Sequence, residues 1–170
     1  MDQETIAAII HALKQERIDL VVTLPEEPTS PLTEAIRQDP HFTSVTVASE
    51  SNGISLCAGA SLGGRRCLFV TGIAGLLVGT WSLAQMAVLY GIPVFIMASY
   101  RGDIGDRSGV SGAQLFMFQQ LGEPMLNTLR VPYRIIKKKN ELEREIRDSH
   151  FACREYGTPL VLLLTGEVLW

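Results

Sequence analysis

The residue most able to do chemistry in this chain of 170 residues is Glu50. It stands between an alternating run, Ser44-Val45-Thr46-Val47, and a stretch of small residues in which Ile54, Cys57, Ala58 and Leu62 keep helical spacing. The first pattern predicts a strand and the second a helix. In open α/β sheets the ligand crevice lies at the carboxyl ends of the strands. A carboxylate there, before a helix whose Gly53, Gly59 and Ala60 permit close approach, is a candidate working group. The plainer alternative is a first-turn acid favoured by the helix dipole.

Other groups share that setting. Thr71 to Gly79, TGIAGLLVG, resembles a loop that cradles phosphate at a helix N-terminus. It lacks both Gly-Lys-Ser/Thr and GxGxxG, so tight packing or a backbone wall against a flat ligand are the readings left. Arg101 follows a predicted strand and could hold a substrate carboxylate through its planar fork, or form a surface ion pair. Glu26 and Glu27 follow the first strand in the same way, as site acids or as a solvated loop. Gly102 to Arg107, GDIGDR, with Asn127 downstream, imitates a metal–diphosphate motif. Ile104 stands where that motif needs a small residue, so no metal site is assigned. His11, His41 and His150 share no ligand spacing, and Lys137 to Lys139 read as a solvated run.

The elements that must position these groups alternate between strand and helix. Asp2 caps a first helix with Ile6, Ile9, Ile10 and Leu13 on one face; Asp19 to Leu24 is a strand. Ser30-Pro31 opens a helix that Asp39-Pro40 stops. Cys67 to Val70 is a third strand, followed by one helix reaching about Tyr90 and apolar nearly all round, expected to be buried between the sheet and a further covering element, of which a second subunit is one candidate. Pro93 to Ala98 is a fourth strand, and a long polar loop leads to a helix from about Ala113. Tyr133 to Ile136 is a short strand, Asn140 and Glu143 cap a charged helix, and Pro159 to Leu164 is a central strand. The expected fold is a single α/β domain over residues 1–170, a doubly wound, mostly parallel sheet between helices.

Composition narrows the function. The chain is 46% hydrophobic with a net charge of -3, which argues against nucleic-acid binding. No charged residue occurs between Arg66 and Arg101, but Gly72, Gly75, Gly79, Gly91 and Pro93 divide that run into globular lengths, so no membrane span is expected. Cys57, Cys67 and Cys153 form neither a metal-spaced pair nor an even framework, and no leader is apparent; a reduced, cytoplasmic setting is expected.

Together these pieces resemble the pyrimidine-binding (PYR) domain of thiamine-diphosphate enzymes. Glu50 with Gly53, Ala58 and Gly59 matches E-x-x-[GA]-x4-A-G. Leu24-Pro25 and Pro31-Leu32 resemble the first strand and loop of the sulfopyruvate and phosphonopyruvate decarboxylases, and SLCAGASLGG, YGIPVFIMASYRGDIGD and PLVLLL fit the same group. The resemblance implies the three-layer PYR-type fold. It implies that Glu50 hydrogen-bonds the aminopyrimidine of thiamine diphosphate, so that the cofactor loses a proton and attacks a 2-oxo acid. It implies that Pro25, Thr71, Gly72, Ala74 and Gly75 neighbour the pyrimidine, and that Glu27, Arg101 and Gln114 face the substrate. The diphosphate and Mg²⁺ would be held by a separate beta subunit with a PP domain, making this chain the alpha subunit of a hetero-oligomer.

Two departures qualify the expectation. TGIAGLLVG replaces a polar loop, QNSGLGN, of similar proteins, and Glu27 stands where a small Ser is common. Two acids at the mouth would repel a sulfonate or phosphonate tail by ~1 kcal/mol each. A carboligase, a non-catalytic assembly subunit, and a flavodoxin-like nucleotide binder are the alternatives.

Overall fold

Among the described residues the chain forms six strands and eight α-helices in the order that follows. The computed structural model describes residues 1–102 and 112–170, with side chains in the second stretch from residue 116 onward. The elements are α1 (Gln3–Gln15), β1 (Leu20–Thr23), α2 (Ser30–Gln38), β2 (Thr43–Thr46), α3 (Glu50–Leu62), β3 (Cys67–Gly72), α4 (Ile73–Val78) and α5 (Thr80–Ala84). A π-helical segment (Gln85–Tyr90) leads to β4 (Phe95–Ser99), α6 (Gly112–Thr128), β5 (Tyr133–Ile136), a 3-10 turn (Lys139–Glu141), α7 (Leu142–Tyr156), β6 (Leu160–Leu164) and α8 (Gly166–Leu169).

All pairings in the sheet are parallel, in the order β2-β1-β3-β4-β6-β5. Side chains alternate between its faces, as the two-residue strand period requires. Val21, Leu68, Val70, Met97 and Leu162 pack with α1, α2 and α7 on one face. Val22, Phe69, Ile96, Ala98 and Leu163 pack with α3, α4 and α6 on the other. The fold is the expected three-layer α/β sandwich. Every residue of β6 is buried, as its unbroken apolar run and interior place demand. Edge strand β2 is only half covered. No helix among the described residues is long and apolar enough to cross a membrane.

Local chemistry explains most boundaries. The Asp2 carboxylate accepts the Thr5 amide N–H at 2.8 Å and caps α1. Ser49 caps α3 by accepting the Asn52 N–H at 3.3 Å. Asp39 closes α2 just before Pro40, as the proline dictates. Glu123 of α6 accepts from the hydroxyls of both Tyr100 and Tyr133, tying that helix to the strand ends beside it.

Four expectations are corrected. The single helix to Tyr90 is three pieces: it breaks at Gly79, where an added Cβ would lie 2.8 Å from Ile54 Cδ1 and 3.2 Å from Glu50 Cβ, and it passes into a π-helical segment at Gln85. Asn140 and Glu143 do not cap α7; a 3-10 turn precedes it and no side chain caps it. Gly59 serves no close approach, since a methyl there meets nothing, whereas one at Gly53 would strike the buried ring of Phe69. Cys57 and Cys67 are joined in a disulfide between α3 and β3, leaving Cys153 buried and free. Cysteine count alone gave no sign of the pair; helix α3 and the start of β3 bring the two Cα atoms to 5.5 Å, within bridging distance.

The contrast between the two glycines is measurable. Gly53→Ala gains about 1 kcal/mol of helix propensity but overpacks the core by up to about 3 kcal/mol, a net loss. Gly59→Ala adds only the propensity gain. Urea unfolding should lower the midpoint for the first variant and raise it for the second.

Candidate functional site

The chain reverses its direction across the sheet between β1 and β3, where open α/β sheets form their crevice. Strand β1 ends in Pro25-Glu26-Glu27, β3 ends in Thr71-Gly72, and β4 ends in Ser99 followed by Tyr100 and Arg101. Helix α3 begins at Glu50, at the same edge.

Glu50 is half-buried and lies across α4. A Cβ at Gly75 would come 2.6 Å from Glu50 Oε1 and 2.6 Å from Thr71 Oγ1. Because Ser49 already caps the helix, the Glu50 carboxylate is not needed for that task and turns over the glycine. Glycine at 75 is therefore a requirement of space: any side chain would expel the carboxylate or the threonine hydroxyl.

Glu26 makes the matching contact one turn earlier. Its Oε2 occupies the space a side chain at Gly72 would take, with Ser99 Oγ 3.2 Å from the same point. Burial pushes the Glu26 carboxyl up from its ordinary 4.5, while Ser99, Arg101 and Thr29 oppose the shift and neighbouring Glu27 adds to it. The Ser99 and Thr29 hydroxyls are near enough to act on its charge, yet neither they nor Glu26 Oε1 have the geometry of a formed hydrogen bond. Two carboxyls thus flank one glycine turn, Glu50 over Gly75 and Glu26 over Gly72.

The predicted residues divide accordingly. Glu50, Thr71, Gly72 and Gly75 come together, Ala74 lies half-exposed in the same turn, and Arg101 stands beside Glu26. Pro25 is exposed in a shallow cleft with Ser30, Pro31 and Glu34 of α2 and Thr46 of β2, on the side of β1 away from β3. Glu27 is exposed; its carbonyl accepts from the Ser30 hydroxyl at 3.0 Å. Gln114 falls in the first turn of α6, outside the residues whose side chains are described, and GDIGDR after Gly102 lies outside the described residues. Among the described residues no group of three or more possible metal ligands assembles.

Glu26 is the site acid that sequence reasoning passed over in favour of Glu27. A signal existed: it extends the parity of Val22 and Leu24, both of which face α3 and α4.

This architecture defines a class, an all-parallel three-layer α/β domain with paired carboxyls at its switch point. Comparison with known proteins gives the particular likeness. No family model matches the chain. It is 27% identical, over 92% of its own length and 92% of theirs, to the sulfopyruvate decarboxylase subunit alpha of Methanococcus maripaludis. It is 27% identical to the subunit of the same name from Methanothermobacter thermautotrophicus, over 86% of each chain. The corresponding subunit of Methanocaldococcus jannaschii is 24% identical, over 92% of this chain and 90% of that one. The resemblance read from the sequence thus extends along nearly the whole chain.

A pH dependence follows from Glu26. Its folded pKa lies above the unfolded 4.5, so the folded chain keeps a proton that the unfolded chain gives up. That contribution to stability is complete below about pH 4.5 and is lost as pH rises through the folded value. Thermal melts across pH should show this decline in the parent and in Glu27→Gln, and its absence in Glu26→Gln.

Proposed function

We propose that the chain is the alpha subunit of a two-chain, thiamine-diphosphate-dependent 2-oxo acid decarboxylase of the sulfopyruvate decarboxylase type, with Glu50 as the group that activates the cofactor. The observation that carries this reading is the Glu50 carboxylate lying over Gly75 beside Thr71, in a cradle that one added methyl would fill. A flat heterocycle needs such a wall, with a carboxylate at its edge. The names of the three relatives supply the decarboxylase class and the subunit role.

The parts fit the cofactor in this way. Thr71, Gly72, Ala74 and Gly75 form a turn with few projecting atoms, against which the pyrimidine would rest; Pro25, exposed on the far side of β1, stands apart from that turn. The Glu50 carboxylate would accept a hydrogen bond from a ring N–H and so hold the proton shared there. Its place on the first turn of α3, braced by the Gly53–Phe69 contact, fixes the direction of that bond. When bound, the cofactor supplies the electron sink that lets carbon dioxide leave a 2-oxo acid.

Substrate contacts fall to Arg101, Glu27 and Gln114, with Arg101 as the cation for an acidic tail. Burial drives Glu26 toward its uncharged form and Glu27 is exposed, so the repulsion expected of two mouth acids is weakened. That brings an anionic 2-oxo acid back within reach of the site.

A partner subunit with a PP domain would carry the diphosphate and Mg²⁺. Directly after the glycine turn, Val78, Trp81, Val88, Leu89 and Tyr90 are exposed, Trp81 to 73%. An apolar stretch of that kind beside a half-built site suits an interface.

The test is Glu50→Gln in the complex reconstituted with the PP-domain subunit, following carbon dioxide release from sulfopyruvate and other 2-oxo acids. Loss of the proton-holding group should lower kcat by about 10²–10⁴-fold, with complex formation intact. Activity at the parental level would refute the assignment and favour an assembly role.

A further inference from the structure

At the opposite edge of the sheet, by the amino ends of β3 and β4, a cleft of about 320 Å³ is lined by Cys57 and Ser61 of α3, by Arg65 and Arg66, and by His150 and Arg154 of α7. The chain as a whole is acidic, with a net charge of -3, yet positive charge collects here. Arg17 joins the group from the end of α1, close enough to Arg66 to act on its charge.

The local balance leaves cations in excess. Arg65 is occupied, with Nε 3.2 Å from the Asp19 carboxylate and Nη2 donating to Thr43 at 2.8 Å. Arg66 donates Nη1 to the Glu16 carbonyl at 2.6 Å, which fixes its guanidinium, and the Glu16 carboxylate attracts it from nearby without forming an ion pair. The Glu16 carboxylate is taken by His150 Nδ1 at 2.8 Å. Among the described residues, neither Arg17 nor Arg154 forms an ion pair. Burial lowers the pKa of Arg66, and Arg154 and Arg17 lower it further by repulsion. Burial, together with Arg154 and Arg66, likewise lowers His150, against Glu16.

We propose that this cleft binds a small molecule bearing a phosphate-type oxyanion, held between the guanidinium groups of Arg66 and Arg154. Planar guanidinium forks match the oxygens of a phosphate better than the single ammonium of a lysine does. Arg66, pinned by the Glu16 carbonyl, is preorganised for that contact, while exposed Arg154 is free to close over the ligand. A dianion cancels the repulsion that the empty cluster carries. The cleft is larger than a bare phosphate and has room for a compact organic body beside it.

The test uses the full chain, isotopically labelled and titrated with inorganic phosphate and separately with pyrophosphate at constant ionic strength. Backbone amides of Gly64, Arg66 and Arg154 are followed by NMR. The expected result is saturable shifts at these positions. Arg154→Gln should weaken the affinity about tenfold, the loss of one charge-assisted contact, and Arg154→Lys should weaken it less. Arg134→Gln, which removes an exposed cation on β5, should leave it unchanged. Shifts that rise linearly and are reproduced by chloride alone would overturn the proposal. So would saturable binding of equal strength in the parent and in Arg154→Gln.

Discussion

The site depends on two glycines having no side chains. Gly72 and Gly75 sit in the turn from β3 into α4, and the volume that side chains would occupy is filled by carboxyl groups from two other elements. Glu26 arrives from β1 and Glu50 from α3, so three separate parts of the chain are locked together by one short turn. The parallel sheet makes this possible, because it brings the carboxyl ends of β1 and β3 side by side in register. The position of Glu50 is thus set by packing against backbone. A carboxylate placed that way loses less freedom when a ligand meets it than one extended on a mobile loop.

The two acids have different surroundings. Glu26 is pressed between strand ends, where its charge is poorly solvated and its neighbours do not complete its hydrogen bonds. Glu50 lies half-exposed at a helix start. The same residue type therefore sits in two different settings within one turn, one carboxyl buried between strand ends and inclined to keep its proton, the other half-exposed over Gly75.

Much of this was legible in the sequence. Periodicity located all six strands to within two residues, and the strand–helix join identified Glu50. The glycines of TGIAGLLVG were recognisable as close-approach positions, although their partners were not. What periodicity cannot report is which of two adjacent acids a turn buries, because both fit a polar loop; only the onward parity of β1 separates Glu26 from Glu27. The break at Gly79 was hidden for a similar reason. An apolar run is compatible with one long helix, and the close packing of Ile54 and Glu50 against Gly79 depends on the fold of α3. The cysteine pair was invisible because it is a property of how α3 lies on β3.

That pair has a structural corollary. Its two cysteines are ten positions apart in sequence, and the bond between them closes a loop running from the helix that bears Glu50 to the strand that ends in Gly72. A covalent bond thus ties α3 to the amino end of β3. The spacing between acid and turn is consequently inherited from the chain itself, before any companion protein or bound molecule arrives to hold it.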